Sequence, residues 1–314
     1  MFFCFFFVFF LSVFAVLQNI QNIQKTELPV VIWHGLGDSY NSEGMQEIID
    51  ILSELLNTYV HSVYLDEYSL NDKNGGFFGN VNDQVDFVSQ QLSSIEELKD
   101  GFNAIGFSQG GLFLRAYIER YNLPPVVNFI TFGTPHSGIS DFYCPPGVYI
   151  CKAASYLVKH GLWSHWVKTN IVPVQYYKDP ENMDDYLEHN SFLADINNEK
   201  EAKNATYAKN LASLNNFVMV EFKDDFLIIP KESCGFNDYN SLTNEVIYLR
   251  DRPIYQEDWI GLKLLDEKNA LVHITIPGRH MELDYKVLIY IVKKYFAGSV
   301  ESENAIQWQS EDMY

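Results

Sequence analysis

The chain has 314 residues, 47 % of them apolar, enough for one large core or a core with a substantial inserted lobe. Its formal charge of -19 argues against nucleic acid or an anionic membrane surface as partner, because both are polyanions that recruit basic patches. C-x-x-C, H-E-x-x-H and clustered histidines are absent, so metal-ligand spacing is missing and no metal or other cofactor is expected.

Residues 2–17 form an uncharged apolar run of 16 residues, followed by a polar stretch to Glu27. This matches the core of a signal peptide (residues 1–17), although a basic n-region is missing. A single membrane anchor is the competing reading, but the run is short for a span of about 20 residues and lacks basic flanks. No second segment of spanning length follows, so no stable membrane insertion is expected after signal removal.

Residues 28–33 are a continuous apolar run ending in His34-Gly35-Leu36-Gly37-Asp38-Ser39, the pattern of a buried parallel strand and its exit loop. A helix is predicted over 45–56, a strand over 60–65, a helix over 81–92, strands over 102–105 and 126–132, and a helix over 111–121 between those two. Such alternation implies a mostly parallel sheet with helices on both faces and a site beyond the carboxyl ends of the strands. Between Gly133 and Asn215 the alternation stops. Helical patterns at 152–167 and 192–214 predict an inserted helical cap lobe over about 139–215, one that would wall a pocket. Strands resume at 217–222 and 271–276, a helix is predicted over 286–296, and the polar, acidic stretch 297–314 is expected to be disordered.

Gly106-Phe107-Ser108-Gln109-Gly110, between a strand and a helix, reads as a nucleophile elbow. A serine hydroxyl is a poor nucleophile at neutral pH. Acyl-transfer enzymes therefore hold it on a tight turn where a base can reach it and helix N-terminal N–H groups can bind an oxyanion. The elbow needs an acid and then a base further along, each on a loop after a strand. Asp224 and Asp225 follow the strand at 217–222, and His280 follows the strand at 271–276. Pattern does not choose between the two aspartates. His273 is the rival histidine, but it lies within an apolar strand. Leu36 and Gln109 are the natural backbone donors of an oxyanion hole.

Cys144 and Cys151 bracket Pro145-Pro146-Gly147, a turn-forming sequence consistent with a disulfide in an oxidising compartment or with two buried free thiols. Cys234 has no evident base or helix N-terminus beside it and reads as a small buried hydrophobe.

With these residues assembled, the chain resembles the lysosomal palmitoyl-protein thioesterases, members of the α/β-hydrolase class. The resemblance covers roughly residues 28–296 and rests on Val31 to Ser39, Asn103 to Gly111, Phe192-Leu193-Ala194-Asp195-Ile196-Asn197 and Phe217-Val218-Met219-Val220. It implies an α/β-hydrolase fold, Ser108 as nucleophile, His280 as base, and Asp225 rather than Asp224 as the acid. It further implies Leu36 and Gln109 as oxyanion donors, Cys144 bridged to Cys151, and an N-glycan on Asn204 of Asn204-Ala205-Thr206, the chain's one acceptor sequon. A further cysteine pair of the family's vertebrate members, flanking the elbow helix, has no counterpart near Val88, Ser89 or Tyr121. The implied reaction is hydrolysis of palmitoyl thioesters on protein cysteines, in a lysosome or vacuole or after secretion. The alternatives are another serine hydrolase, such as a lipase or acyl-coenzyme A thioesterase, and an inactive relative serving as a binding protein. An inactive relative would lack a triad member, and none is missing here.

Overall fold

The computed structural model describes residues 27–141, 165–240, 243 and 245–297. Residues 1–26, Cys144, Cys151 and residues 298–314 lie outside the described residues, as does most of the helix expected at 152–167.

The strands β1 (Val30–Trp33), β2 (Val60–Ser62), β3 (Phe102–Phe107), β4 (Val126–Phe132), β5 (Asn216–Phe222) and β8 (Leu271–Ile276) form one sheet in the order β2-β1-β3-β4-β5-β8. Every neighbouring pair in it is parallel. A short antiparallel hairpin, β6 (Asp238–Asn240) with β7 (Glu245–Ile247), stands apart. The helices are α1 (Glu43–Leu56), α2 (Ser69–Gly75), α3 (Val81–Ser93), α4 (Gln109–Arg120), α5 (His165–Asn170), α6 (Met183–His189), α7 (Leu193–Ile196), α8 (Ala205–Leu211), α9 (Pro253–Gln256), α10 (Leu262–Glu267) and α11 (Tyr285–Tyr295). This is the parallel sheet with helices on both faces that the alternation implied, and the α/β-hydrolase arrangement that the resemblance implied.

Period-two alternation sorts the strand residues onto two faces. Val30, Ile32, Ile105, Phe107, Ile130, Phe132, Val218 and Val220 meet α1 and α11 on one face. Helix α1 offers Met45, Ile48, Leu52 and Leu56 there, one helical stripe, and begins at Ser42, whose side chain accepts the Met45 N–H. Val31, Trp33, Phe102, Ala104, Phe129, Phe217 and Met219 meet α3, α4 and the segment between β4 and β5 on the other face. Helix α4 is buried from Gln109 through Glu119, because the sheet lies on one side of it and α7 and α8 on the other.

The segment between β4 and β5 departs from expectation. Residues 192–214 are not one helix: α7 ends at Ile196, Asn198 turns left-handed at φ 54°, and α8 starts only at Ala205, capped by the Asn204 side chain. The Asn198 side chain holds that break open, donating to the carbonyls of Asn204 and Trp259 and accepting the Asn204 N–H. The 3-10 turn Val172–Tyr176, the hairpin and α9 and α10 carry no clear periodicity and were not anticipated.

Candidate active site

The sharpest local feature is the turn from β3 into α4. Ser108 sits at φ 51°, ψ -124°, a conformation that a side-chain-bearing residue rarely adopts. The sequence makes it possible through two close approaches. A Cβ on Gly106 would lie 2.2 Å from the Gly111 Cα, and one on Gly110 would lie 2.4 Å from the carbonyl oxygens of Trp33 and His34. The surroundings then fix the turn. The Ser108 N–H donates to the Phe132 carbonyl at 2.8 Å, and the Ser108 carbonyl accepts from the Thr134 hydroxyl at 2.8 Å and the Gly111 N–H at 3.1 Å.

His280 comes from the loop after β8 and Asp225 from the loop after β5. His280 Nε2 is 3.0 Å from Ser108 Oγ, and His280 Nδ1 is 2.6 Å from Asp225 Oδ2. A carboxylate can only accept, so Nδ1 carries the proton and Nε2 is left as acceptor for the serine hydroxyl. Asp225 is itself pinned: its Oδ1 takes the N–H groups of Leu227 at 2.8 Å and Ile228 at 3.1 Å, leaving Oδ2 to the imidazole. Asp224 is exposed, so the two aspartates that sequence pattern left undecided are separated by their burial. His273 is elsewhere, on β8, with its Nε2 3.2 Å from Glu221.

The loop after β1 runs beside the serine: a Cβ on Gly35 would stand 3.2 Å from the Ser108 Cβ. Gln109 opens α4, where its N–H has no acceptor one turn back. The loop that carries Leu36 thus passes beside Ser108, and Gln109 follows Ser108 directly in the chain. The Gln109 side chain does work that its motif position did not announce. Its Oε1 accepts from the Tyr176 hydroxyl at 3.1 Å and its Nε2 donates to the Gly76 carbonyl at 3.2 Å. Burial pushes the Tyr176 phenol up, so it stays a neutral donor. Sequence reasoning missed Thr134, Tyr176 and Gly76, since partners 26, 67 and 33 residues from the elbow leave no local signal.

Cys234 is buried and free, and burial raises its thiol far above the ordinary range, which leaves it unreactive. Asn204 is exposed. Among the described residues, no group of three or more His, Cys, Asp or Glu is arranged to hold a metal ion, and no helix is long and apolar enough to cross a membrane.

A strained serine on a strand-to-helix turn, in contact with an aspartate-oriented histidine at the carboxyl edge of a parallel sheet, defines a serine hydrolase of the α/β-hydrolase class. The family model described as palmitoyl protein thioesterase matches residues 29–280, and the chain belongs to that family. It is 36 % identical over 275 residues to palmitoyl-protein thioesterase 1 of Caenorhabditis elegans, covering 86 % of this chain and 92 % of that protein. Palmitoyl-protein thioesterase 3 of Dictyostelium discoideum is 36 % identical over 262 residues, 81 % of this chain and 85 % of its own. The lysosomal thioesterase PPT2 of Mus musculus is 29 % identical over 252 residues, 80 % of either chain.

Proposed function

We propose that this protein hydrolyses long-chain fatty acyl thioesters, palmitoyl thioesters first among them, on S-acylated protein cysteines, through an acyl-enzyme on Ser108. The observation that carries the mechanism is the unbroken chain Ser108 Oγ, His280 Nε2, His280 Nδ1, Asp225 Oδ2 at 3.0 and 2.6 Å. Thioester and palmitoyl specificity rests on family membership, because the same residues serve oxygen esters equally well.

In the acylation half, Ser108 Oγ attacks the thioester carbonyl carbon as His280 Nε2 takes the hydroxyl proton. The developing oxyanion is stabilised by the Leu36 and Gln109 N–H groups, each expected to contribute about 10²- to 10³-fold to the rate. The C–S bond breaks and His280 returns the proton to the cysteine sulfur. In the second half, water gives a proton to His280, attacks the acyl carbon, and releases the fatty acid with the proton back on Ser108 Oγ. Asp225 holds the imidazole in the working tautomer and stabilises the imidazolium. The acyl chain lies between the sheet edge and the segment that follows β4.

Three further features complete the reading. The first 17 residues are a signal peptide, and residues 28–296 are the catalytic domain with an insertion over about 139–215. Cys144 is bridged to Cys151, and the exposed Asn204 bears an N-glycan. Delivery is to the lysosome or vacuole, as the names of the PPT2 relatives suggest.

The test is fatty-acid release from an S-palmitoylated peptide by the purified chain lacking residues 1–17, beside Ser108→Ala and the matched oxygen ester. Thioester turnover that disappears in Ser108→Ala and exceeds oxygen-ester turnover is expected. Turnover that survives the substitution moves the nucleophile elsewhere, and turnover confined to the oxygen ester makes the protein a lipase or esterase.

A further inference from the structure

We propose that His34 and Asp72 are positioning residues for the oxyanion hole: His34 fixes the direction of the Leu36 N–H through the Gly35 carbonyl, and Asp72 anchors His34 and both ends of the loop. The inference rests on the reading of Leu36 and Gln109 as oxyanion donors.

The geometry begins with a buried charge that the reaction does not use. Asp72, on α2, is fully buried, and His34 is 2 % exposed. Taking a carboxylate out of water costs several kcal/mol unless its oxygens are satisfied. One of the two Asp72 oxygens is met by the loop that runs past Ser108, and the other by the chain after β2. Its Oδ2 lies 3.1 Å from His34 Nε2 and accepts the Tyr40 N–H at 2.8 Å, while Oδ1 accepts the Leu65 N–H at 2.7 Å. His34 and Tyr40 are the two residues that bracket residues 35–39. One carboxylate oxygen therefore gathers both ends of the oxyanion loop.

The other imidazole nitrogen reaches the donor itself. His34 Nδ1 is 3.0 Å from the Gly35 carbonyl oxygen. That carbonyl and the Leu36 N–H belong to one planar trans peptide, so a hand on the C=O sets the N–H pointing the opposite way. The carbonyl and the carboxylate are both acceptors: Nδ1 donates to the Gly35 carbonyl, while Nε2 stands at ion-pair distance from Asp72 without an aligned hydrogen bond, a setting that favours a positive charge on the ring. Burial works against that charge, but the Asp72 carboxylate and the Gly35 carbonyl hold the His34 pKa above its ordinary value. Asp72 correspondingly titrates below the usual carboxylate range: burial opposes this, and His34 with the Leu65 and Tyr40 N–H groups outweighs it.

The same segment holds the second donor. Gly76, next after α2, accepts from the Gln109 side chain, and a Cβ there would stand 3.6 Å from the Gly37 N. Leu36 and Gln109 come from loops after different strands, yet both are tied to one stretch of chain around α2. A donor displaced by about 1 Å costs on the order of 10²-fold, so this bracing has catalytic value beyond stability.

The test compares the wild type with Asp72→Asn, which keeps shape and an acceptor oxygen but removes the charge behind His34, and with His34→Gln. Each is assayed for kcat and KM on an S-palmitoylated peptide, for inhibition by a palmityl trifluoromethyl ketone, whose hemiketal oxyanion occupies the hole, and for Tm. Asp72→Asn is expected to lower kcat on the order of 10- to 100-fold and to weaken the trifluoromethyl ketone in parallel, with KM within about threefold. A folded Asp72→Asn or His34→Gln with unchanged kcat and ketone affinity overturns the proposal, as does a lowered Tm with kcat intact. Should Asp72→Asn fail to fold, His34→Gln decides on the same readouts. A wild type that binds the trifluoromethyl ketone no more tightly than the matched methyl ketone removes the oxyanion hole itself, an outcome distinct from a hole that exists without need of Asp72.

Discussion

The two faces of the sheet solve the same burial problem differently. Against α1 and α11 the core is aliphatic and aromatic, and its polar side chains include a ladder of three asparagines at the amino edge. There Asn216 donates to Asn128 at 2.7 Å and Asn128 to Asn103 at 2.8 Å. Under the elbow helix the core instead encloses charge. Arg115 is fully buried on α4, paired with Glu119 at 3.3 Å, donating to the His136 carbonyl at 3.1 Å and to Asn197 at 2.8 Å, and lying over the Phe236 ring. The first face needs only to hold a sheet. The second must also hold the loop after β4 and the segment that follows it in register with Ser108, and directional bonds specify that register where apolar contact would slide.

The comparison breaks most readily at Arg115. Arg115→Leu strands the His136 and Asn197 acceptors and leaves Glu119 without its partner, for an expected loss of about 3–5 kcal/mol in urea unfolding. The double variant Arg115→Leu/Glu119→Leu should recover a good part of it. A double variant no better than the single would mean that packing, not the Arg115–Glu119 contact, governs this face. On the plain face, Leu288→Ala at a fully buried position should cost about 3 kcal/mol by loss of transfer energy and creation of a cavity. That loss should be the same at pH 5.5 and pH 8, because no titrating group is involved.

The smallest effect is a pH dependence peculiar to the charged face. Burial pushes the Glu119 carboxyl up to about 8, with Arg115 pulling the other way, so between about pH 4.5 and 8 the native state keeps a proton that the unfolded chain has lost, and stability falls as pH rises. His136, buried and close to Arg115, titrates well below its ordinary 6.5, so stability also falls as pH drops below that value. The two oppose one another up to about pH 6.5. Above it Glu119 remains, joined by His34, whose raised pKa gives a loss of the same sign. Unfolding free energy should therefore decline by roughly 1–2 kcal/mol from pH 6.5 to 8, and Glu119→Gln should flatten much of that limb. A wild-type profile that is flat across this interval would erase the distinction between the faces.

How much of this was legible in the sequence follows from how local each signal is. Strand β4, buried along most of its length, reads as an apolar run and lies at 126–132 as expected, and the half-exposed edge strand β8 likewise lies at 271–276. The elbow was legible because its glycines, serine and flanking strand lie within a few residues. His280 and Asp225 were found as residues after strands, but choosing Asp225 over Asp224 took the family resemblance. What stayed hidden depends on partners far apart in the chain. The break at Asn198 is held by Trp259, Gln109 is held by Gly76 and Tyr176, and Asp72 meets His34 across a gap that no periodicity spans. In the segment between β4 and β5, the short helices α7 and α8 pack on α4, so their apolar residues follow the surface of α4 and not one continuous helical repeat.

The backbone of Ser108 has a consequence for how such a chain drifts. A non-glycine residue at φ 51°, ψ -124° costs of order 1–3 kcal/mol, and the native contacts around it must absorb that cost. Folding and turnover thus pull on this position in opposite directions. In a lineage freed from the need for turnover, glycine at this position is a gain in stability, so Ser108 is among the first residues that neutral drift would erase while leaving the fold intact.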